Sequence, residues 1–134
     1  MAVRGQGRDD RSAIEGSACL HGARHRRRHT SAELSDTPAG EIETLAVERA
    51  GAWRVRTPRL AIDPNGTGDL FAALLVAARL RGADTPGALS HAASAIFAVL
   101  ECTAARGTEE MRIVESAEEL TQPKRKFECI AISA

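Results

Sequence analysis

The chain has 134 residues, which is enough for one domain with a hydrophobic core. Aromatic residues make up only 3% of it and its formal net charge is zero, so neither stacking platforms nor a global positive field favour a nucleic-acid-binding function. Hydrophobic residues are 43% of the chain, yet no run approaches the roughly 18 apolar residues of a membrane span. Composition therefore predicts a globular, cytoplasmic protein with no nucleic-acid partner and no membrane partner.

The three cysteines, Cys19, Cys102 and Cys129, are odd in number and widely spaced. No close pairing of cysteine with histidine has the spacing of a zinc site. We expect free thiols in a reducing compartment, and we expect no metal site built from these side chains.

Residues 1–29 are rich in arginine, glycine and histidine and show neither helical nor strand periodicity. Arginines and histidines are concentrated between His21 and His29. Such a cluster could bind nucleic acid, but the sequence shows no folded nucleic-acid-binding domain beside it. We therefore predict that residues 1–29 are a disordered or non-native segment, and that the domain comprises residues 30–134.

Two alternating runs follow, Glu41–Val47 and Trp53–Arg56. Alternation of polar and apolar residues is typical of half-buried strands, and residues 49–52 between the runs suit a turn. The pattern predicts a β-hairpin or, alternatively, two neighbouring antiparallel strands.

The most informative feature is the run DPNGTGDL at residues 63–70. A turn leads into Gly66, Thr67 and Gly68, and an apolar helix begins directly after Asp69. Backbone amides of a glycine-rich turn at a helix N-terminus bind anions well, and glycine permits the unusual dihedrals involved. An aspartate at this place can take the proton of a substrate hydroxyl. The run predicts a phosphoryl-transfer site, with the alternative that Asp69 only caps the helix behind a plain surface turn.

Two helices are expected next. The first has an apolar face of residues 70, 71, 74, 75 and 78 and ends at Gly82. Thr85 and Pro86 predict the cap and first turn of the second, which runs to Gly107. His91 in this helix is interpreted as a structural rather than a catalytic histidine.

Beyond Gly107 the elements are short. Residues 111–114 resemble a strand, residues 116–119 have the capping-box pattern of a helical turn, and residues 127–132 suit a last strand or an extended tail.

The run around Gly66–Asp69, with the LFAALL helix behind it, resembles the catalytic signature of ribokinase-like small-molecule kinases. Within them the chain looks most like the pyridoxal kinases, over Thr30 to about Ser133. The resemblance implies the C-terminal part of a three-layer α/β fold and ATP-dependent phosphorylation of the 5′-hydroxyl of pyridoxal. It also implies magnesium on the phosphates and, for the intact family, a homodimer.

The same resemblance implies nucleotide contacts elsewhere. Thr30 and Ser31 are similar to a Thr-Ser pair near the nucleotide. The segment Arg56, Thr57, Pro58 and Arg59 looks like one that contacts the adenine and phosphate side. From the residues alone, a phosphate contact and a solvated face are equally compatible with the two arginines.

The chain departs from the family before Thr30, where Arg26–His29 stands in place of an apolar strand. A strand buried on both faces needs an apolar run, and arginines there bring uncompensated buried charge. Our hypothesis is that residues 1–29 are foreign to the domain and that the long N-terminal part of these enzymes is missing. We expect an isolated chain of marginal stability and low activity. The alternatives are a kinase for hydroxymethylpyrimidine or a sugar, or a non-catalytic fragment.

Overall fold

The computed structural model describes residues 27–32, by their backbone, and residues 36–132. Its strands form one antiparallel sheet in the order in which they occur in the chain: β1 (Arg27–Ala32), β2 (Glu41–Glu48), β3 (Gly51–Pro58) and β4 (Cys129–Ile132). Between β3 and β4 lie three helices: α1 (Thr67–Leu80), α2 (Thr85–Arg106) and α3 (Ala117–Thr121).

The predicted hairpin is confirmed in β2 and β3, which pair without interruption from Glu48 opposite Gly51 to Glu41 opposite Pro58. The turn is shorter than the sequence indicated, because Gly51 already pairs as a strand residue and only Arg49 and Ala50 remain between the strands.

Strand β1 pairs antiparallel with β2, from Arg27 opposite Val47 to Ala32 opposite Glu43, with an irregularity between His29 and Ala32. The predicted domain boundary at Thr30 thus falls inside β1. Arginines can occupy this strand because its pairing with β2 uses backbone groups and does not require apolar side chains. The interpretation of residues 1–26 lies outside the described residues.

One face of the sheet packs against α1 and α2. Ala46 of β2 and Val55 of β3 are fully buried and form one apolar cluster with Phe71 and Leu75 of α1. The α2 members of this cluster are Ala88, Leu89, Ala92 and Ala93. Small alanines let α2 approach the sheet closely, which favours dense packing. The described residues thus supply a sheet and one helical layer of the predicted α/β fold.

The helix ends follow local chemistry. Gly82, with φ 96°, follows the last turn of α1 as expected, and its amide donates to Arg79 O at 3.0 Å. The predicted cap of α2 was wrong by one residue: the Asp84 carboxylate accepts from Gly87 N at 2.8 Å, and Thr85 is already helical. A carboxylate accepts this bond as well as a hydroxyl does, so the two caps are hard to tell apart from sequence.

The strand predicted at residues 111–114 was wrong. The amide of Ser116 donates to Arg112 O and Ile113 O, both at 3.2 Å, so the segment turns instead of extending. Val114 is 85% exposed, and the sheet edge next to β3 is taken by β4. The helical turn α3 and the last strand β4 are confirmed, but the hydroxyl of Ser116 makes no capping bond.

Among the described residues, α2 alone is long and apolar enough to cross a membrane, with a mean hydropathy of 1.4 over the best window. This differs from the expectation that no segment has that character. Of that window 56% is buried inside the protein, which is the pattern of a helix in a domain core.

Candidate functional site

The glycine-rich run forms the N-terminus of α1. Gly66 is the N-cap residue and has φ 85°, a left-handed conformation that favours glycine. Its carbonyl accepts from Leu70 N at 3.0 Å, which closes the first helical turn. The first amides of a helix have no acceptor within the helix, and the cap residue Gly66 has no side chain that could accept from them. These donors are therefore available to an anion.

The turn is braced from within. The Thr67 hydroxyl donates to Pro64 O at 2.8 Å, and Pro64 is buried. At Gly68, by contrast, an added Cβ would meet nothing within 4 Å. The backbone of the turn is thus fixed on its inner side, while Gly68 faces open space from which a ligand can approach.

Asp69 is the third residue of α1 and is exposed. No described residue forms a hydrogen bond or an ion pair with its carboxylate. A capping role is excluded because Gly66 is the cap and no side-chain cap bond exists. The carboxylate lies in the first turn, where the helix dipole favours negative charge, and it can accept a proton from an approaching hydroxyl.

Topology places the other predicted residues toward the same end of the sheet. Strands β1 and β3 both run antiparallel to β2, so they point in the same direction. Both therefore finish at the end of the sheet where β2 begins. Thr30 and Ser31 fall in the irregular part of β1, near its end. Residues 56–59 close β3, and the chain leads from there through residues 60–66 into α1. Their nucleotide contacts stay predictions.

Arg56 is already engaged inside the protein. Its guanidinium is paired with the fully buried Glu43 and, at 2.9 Å, with Asp36. The hydrogen bond to Glu43, opposed by partial burial and aided by the charges of both acids, raises the pKa of Arg56 above its ordinary value. At the strand end Thr57 is buried, whereas Arg59 is exposed and its amide donates to Gly40 O at 2.8 Å.

The sequence predicted the role of His91 but did not indicate that Met111 lies near the glycine-rich turn. His91 is half-buried and a ring nitrogen lies 3.0 Å from Leu120 O, which agrees with a structural histidine. Met111 was missed as part of the site: its sulfur lies 3.8 Å from Thr67 Oγ1. The only signal in the sequence was an apolar residue after α2, and it was interpreted as part of a strand.

The described residues contain no group of three His, Cys, Asp or Glu side chains able to hold a metal ion. Magnesium in phosphoryl-transfer sites is often held through substrate phosphates with one or two carboxylates and water. Since such a site uses fewer than three protein ligands, magnesium on the phosphates stays a prediction.

The described α/β architecture corresponds to the C-terminal part of a ribokinase-like fold. No family model matches the chain. It is 43% identical over 98 residues to the pyridoxal kinase of Leifsonia xyli, covering 73% of this chain and 35% of that protein. To the pyridoxal kinase of Rubrobacter xylanophilus it is 46% identical over 88 residues, covering 66% of this chain and 30% of that protein. In sequence, the chain corresponds to the C-terminal part of the pyridoxal kinases.

Solved structures agree in fold. The pyridoxal kinase of Entamoeba histolytica matches with a TM-score of 0.78 and 22% identity, over 92% of this chain and 44% of that one. The pyridoxal kinase of Leishmania donovani in complex with ADP matches with a TM-score of 0.78 and 23% identity, over 94% and 46%. The chain therefore spans about a third of the length of the curated relatives it matches and under half of these structures.

Proposed function

We propose that this chain provides the phosphoryl-transfer side of a pyridoxal kinase site, with ATP as donor and the 5′-hydroxyl of pyridoxal as acceptor. The observation that carries the proposal is the start of α1. There a left-handed Gly66 presents uncapped helix amides, and an exposed Asp69 without a described partner lies three residues on.

The reaction needs a proton acceptor and a cradle for negative charge. The oxygen of the pyridoxal hydroxyl forms a bond to the γ-phosphorus of ATP, and the bond from that phosphorus to the bridging oxygen of ADP breaks. Asp69 takes the hydroxyl proton. The amides of Gly66, Thr67 and Gly68 donate to the phosphoryl oxygens as charge develops there, and a fixed turn makes that stabilisation effective.

Three further expectations belong to the same proposal. Magnesium accompanies ATP on its phosphates. The protein acts in the cytoplasm, in keeping with the free thiols of Cys102 and Cys129. The complete enzyme is a homodimer, as its resemblance to this family implies.

The test is ATP-dependent formation of pyridoxal 5′-phosphate, measured with the chain alone and with the chain joined to the N-terminal part of a bacterial pyridoxal kinase. We expect little turnover from the chain alone and clear turnover from the hybrid. In the hybrid, Asp69→Asn removes the base at almost constant size and should lower kcat about 100-fold or more.

Asp63→Asn is the matched control, because Asp63 is an exposed aspartate of the same loop that precedes the helix. It should stay close to the unsubstituted hybrid. An Asp69→Asn hybrid with unchanged kcat would overturn the role of Asp69. A hybrid that phosphorylates hydroxymethylpyrimidine or a sugar but not pyridoxal would overturn the proposed substrate.

A further inference from the structure

Met111 lies directly against the anion-binding turn although it is 45 residues further along the chain than Gly66. A Cβ added to Gly66 would lie 3.3 Å from the Met111 Cε methyl, and the Met111 sulfur lies 3.8 Å from the Thr67 hydroxyl. The thioether therefore contacts Thr67 and fills the space that a side chain at Gly66 would enter.

The Met111 backbone is held in place by the end of α2. Fully buried Thr103 accepts from the amide of Arg112 at 3.0 Å while its own hydroxyl donates to Val99 O at 2.7 Å. The Arg112 side chain adds a bond from Nε to the Thr108 hydroxyl at 3.2 Å. These bonds fix the segment from which Met111 reaches the turn, so its position follows that of α2.

The contact matters because the turn has few other supports. Gly66 and Gly68 have no side chains, and the single hydroxyl hydrogen of Thr67 is used by Pro64 O at 2.8 Å. The sulfur of Met111 is thus a packing contact, and an unbranched thioether fills such an irregular gap well. Without it, the positive-φ turn loses the surface that limits its movement.

We propose that Met111 is a positioning residue that holds the Gly66–Thr67 turn in the geometry that binds phosphate. The inference rests on the proposed function, since it takes this turn as the phosphate-binding element. Met111 touches no reacting atom; it acts through the backbone amides of the turn.

The test uses the full chain labelled with ¹³C in the methionine methyl groups, with ATP as the probe. The chain has two methionines, Met1 and Met111, so one methyl signal reports on the turn and the other serves as a reference. We expect ATP to shift the Met111 signal and the amide signals of Gly66, Thr67 and Gly68. Met111→Ala should raise the Kd for ATP about tenfold, because small misplacements of a binding element weaken it strongly.

Graded variants separate positioning from folding. Met111→Leu keeps the volume and should restore ATP binding, whereas Met111→Val withdraws the end of the side chain and should give an intermediate Kd. Ile113→Ala changes a 37%-exposed residue of the same segment and should bind ATP like the unsubstituted chain. If Met111→Ala does not fold, the Kd for ATP of Met111→Val is compared with that of the unsubstituted chain instead.

Absence of any ATP-induced shift, or equal Kd values for the Val and unsubstituted chains, would overturn the inference. An ATP Kd that depends on Met111, in a hybrid that forms no pyridoxal 5′-phosphate, would support the role of Met111 and contradict the proposed function instead.

Discussion

The two faces of the β2–β3 hairpin are stabilised in different ways. Toward the helices, Ala46 and Val55 are buried in an apolar cluster. On the opposite face, Glu43 is fully buried beside Arg56, to which it is paired, and Arg54 Nη1 lies 3.7 Å from Glu43 Oε1. Asp36, from the connection before β2, joins both arginines at 2.9 Å.

The difference shows what each face demands of the sequence. Apolar burial is non-directional, so the helix-facing side tolerates exchange between residues of similar volume. The ion pairs on the charged face depend on direction and distance, so removing one partner leaves the other charge buried and uncompensated. Glu43 Oε2 already has no hydrogen-bond partner in the described structure, so this face has little capacity to absorb a further loss.

The largest effect is expected on the apolar face. Phe71 is 5% exposed in the core cluster, and Phe71→Ala should lower the free energy of unfolding by about 4 kcal/mol through lost burial and a cavity. Urea denaturation measures it, and Val76→Ala, at a 48%-exposed position of the same helix, is the control with little expected change. Similar losses in both variants would contradict the assignment of the core.

A smaller loss is expected from the charged face. Glu43→Gln keeps the shape but removes the charge that faces Arg54 and Arg56, and should cost about 2 kcal/mol. The double variant Glu43→Leu with Arg56→Leu should recover part of this loss, because an apolar pair leaves less buried charge without a partner. If the double variant is less stable than Glu43→Gln, the pair contributes more than its desolvation costs.

The smallest effect on stability is expected from substitution of Asp36, whose side chain is 49% exposed. Partial burial raises the pKa of Asp36, but the hydrogen bond and charge of Arg54, together with Arg56, outweigh it and hold the pKa below the ordinary value of 3.8. The stabilisation is therefore complete above about pH 4 and is lost as pH falls through the folded-state pKa.

Thermal unfolding of Asp36→Asn beside the unsubstituted chain checks this dependence. The difference in stability should be under about 1 kcal/mol at pH 7 and should shrink as the pH falls below the ordinary pKa of 3.8. A difference that grows as the pH falls would mean that the sign of the pKa shift is wrong.

Local patterns predicted the parts of the molecule that local chemistry determines. The hairpin followed from alternation, and the glycine-rich turn correctly predicted a helix, although α1 begins at Thr67 and not after Asp69. The ion network of Glu43 could not be predicted, because an alternating strand with acidic residues indicates one exposed face, and Asp36 reaches Arg56 only through the fold. Met111 meets Gly66 for the same reason, since only the packing of α2 brings distant segments together.

The capping residue of α2 and the turn at 113–116 show a second limit. Asp84 and Thr85 are both good caps, and the choice between them depends on backbone conformation. Residues 111–114 have a strand-like composition, but β4 occupies the position beside β3, and residues 112–116 form hydrogen bonds within their own turn.

The central claim is that the turn binds phosphate while Asp69 takes the proton, and these roles are separable. The most direct measurement is the Kd for ATP of the Asp69→Asn hybrid, determined on the same preparation used for turnover. We predict an ATP Kd equal to or below that of the unsubstituted hybrid, since a negative charge near the phosphates is gone, together with the loss of turnover. Loss of ATP binding in parallel with turnover would contradict the account.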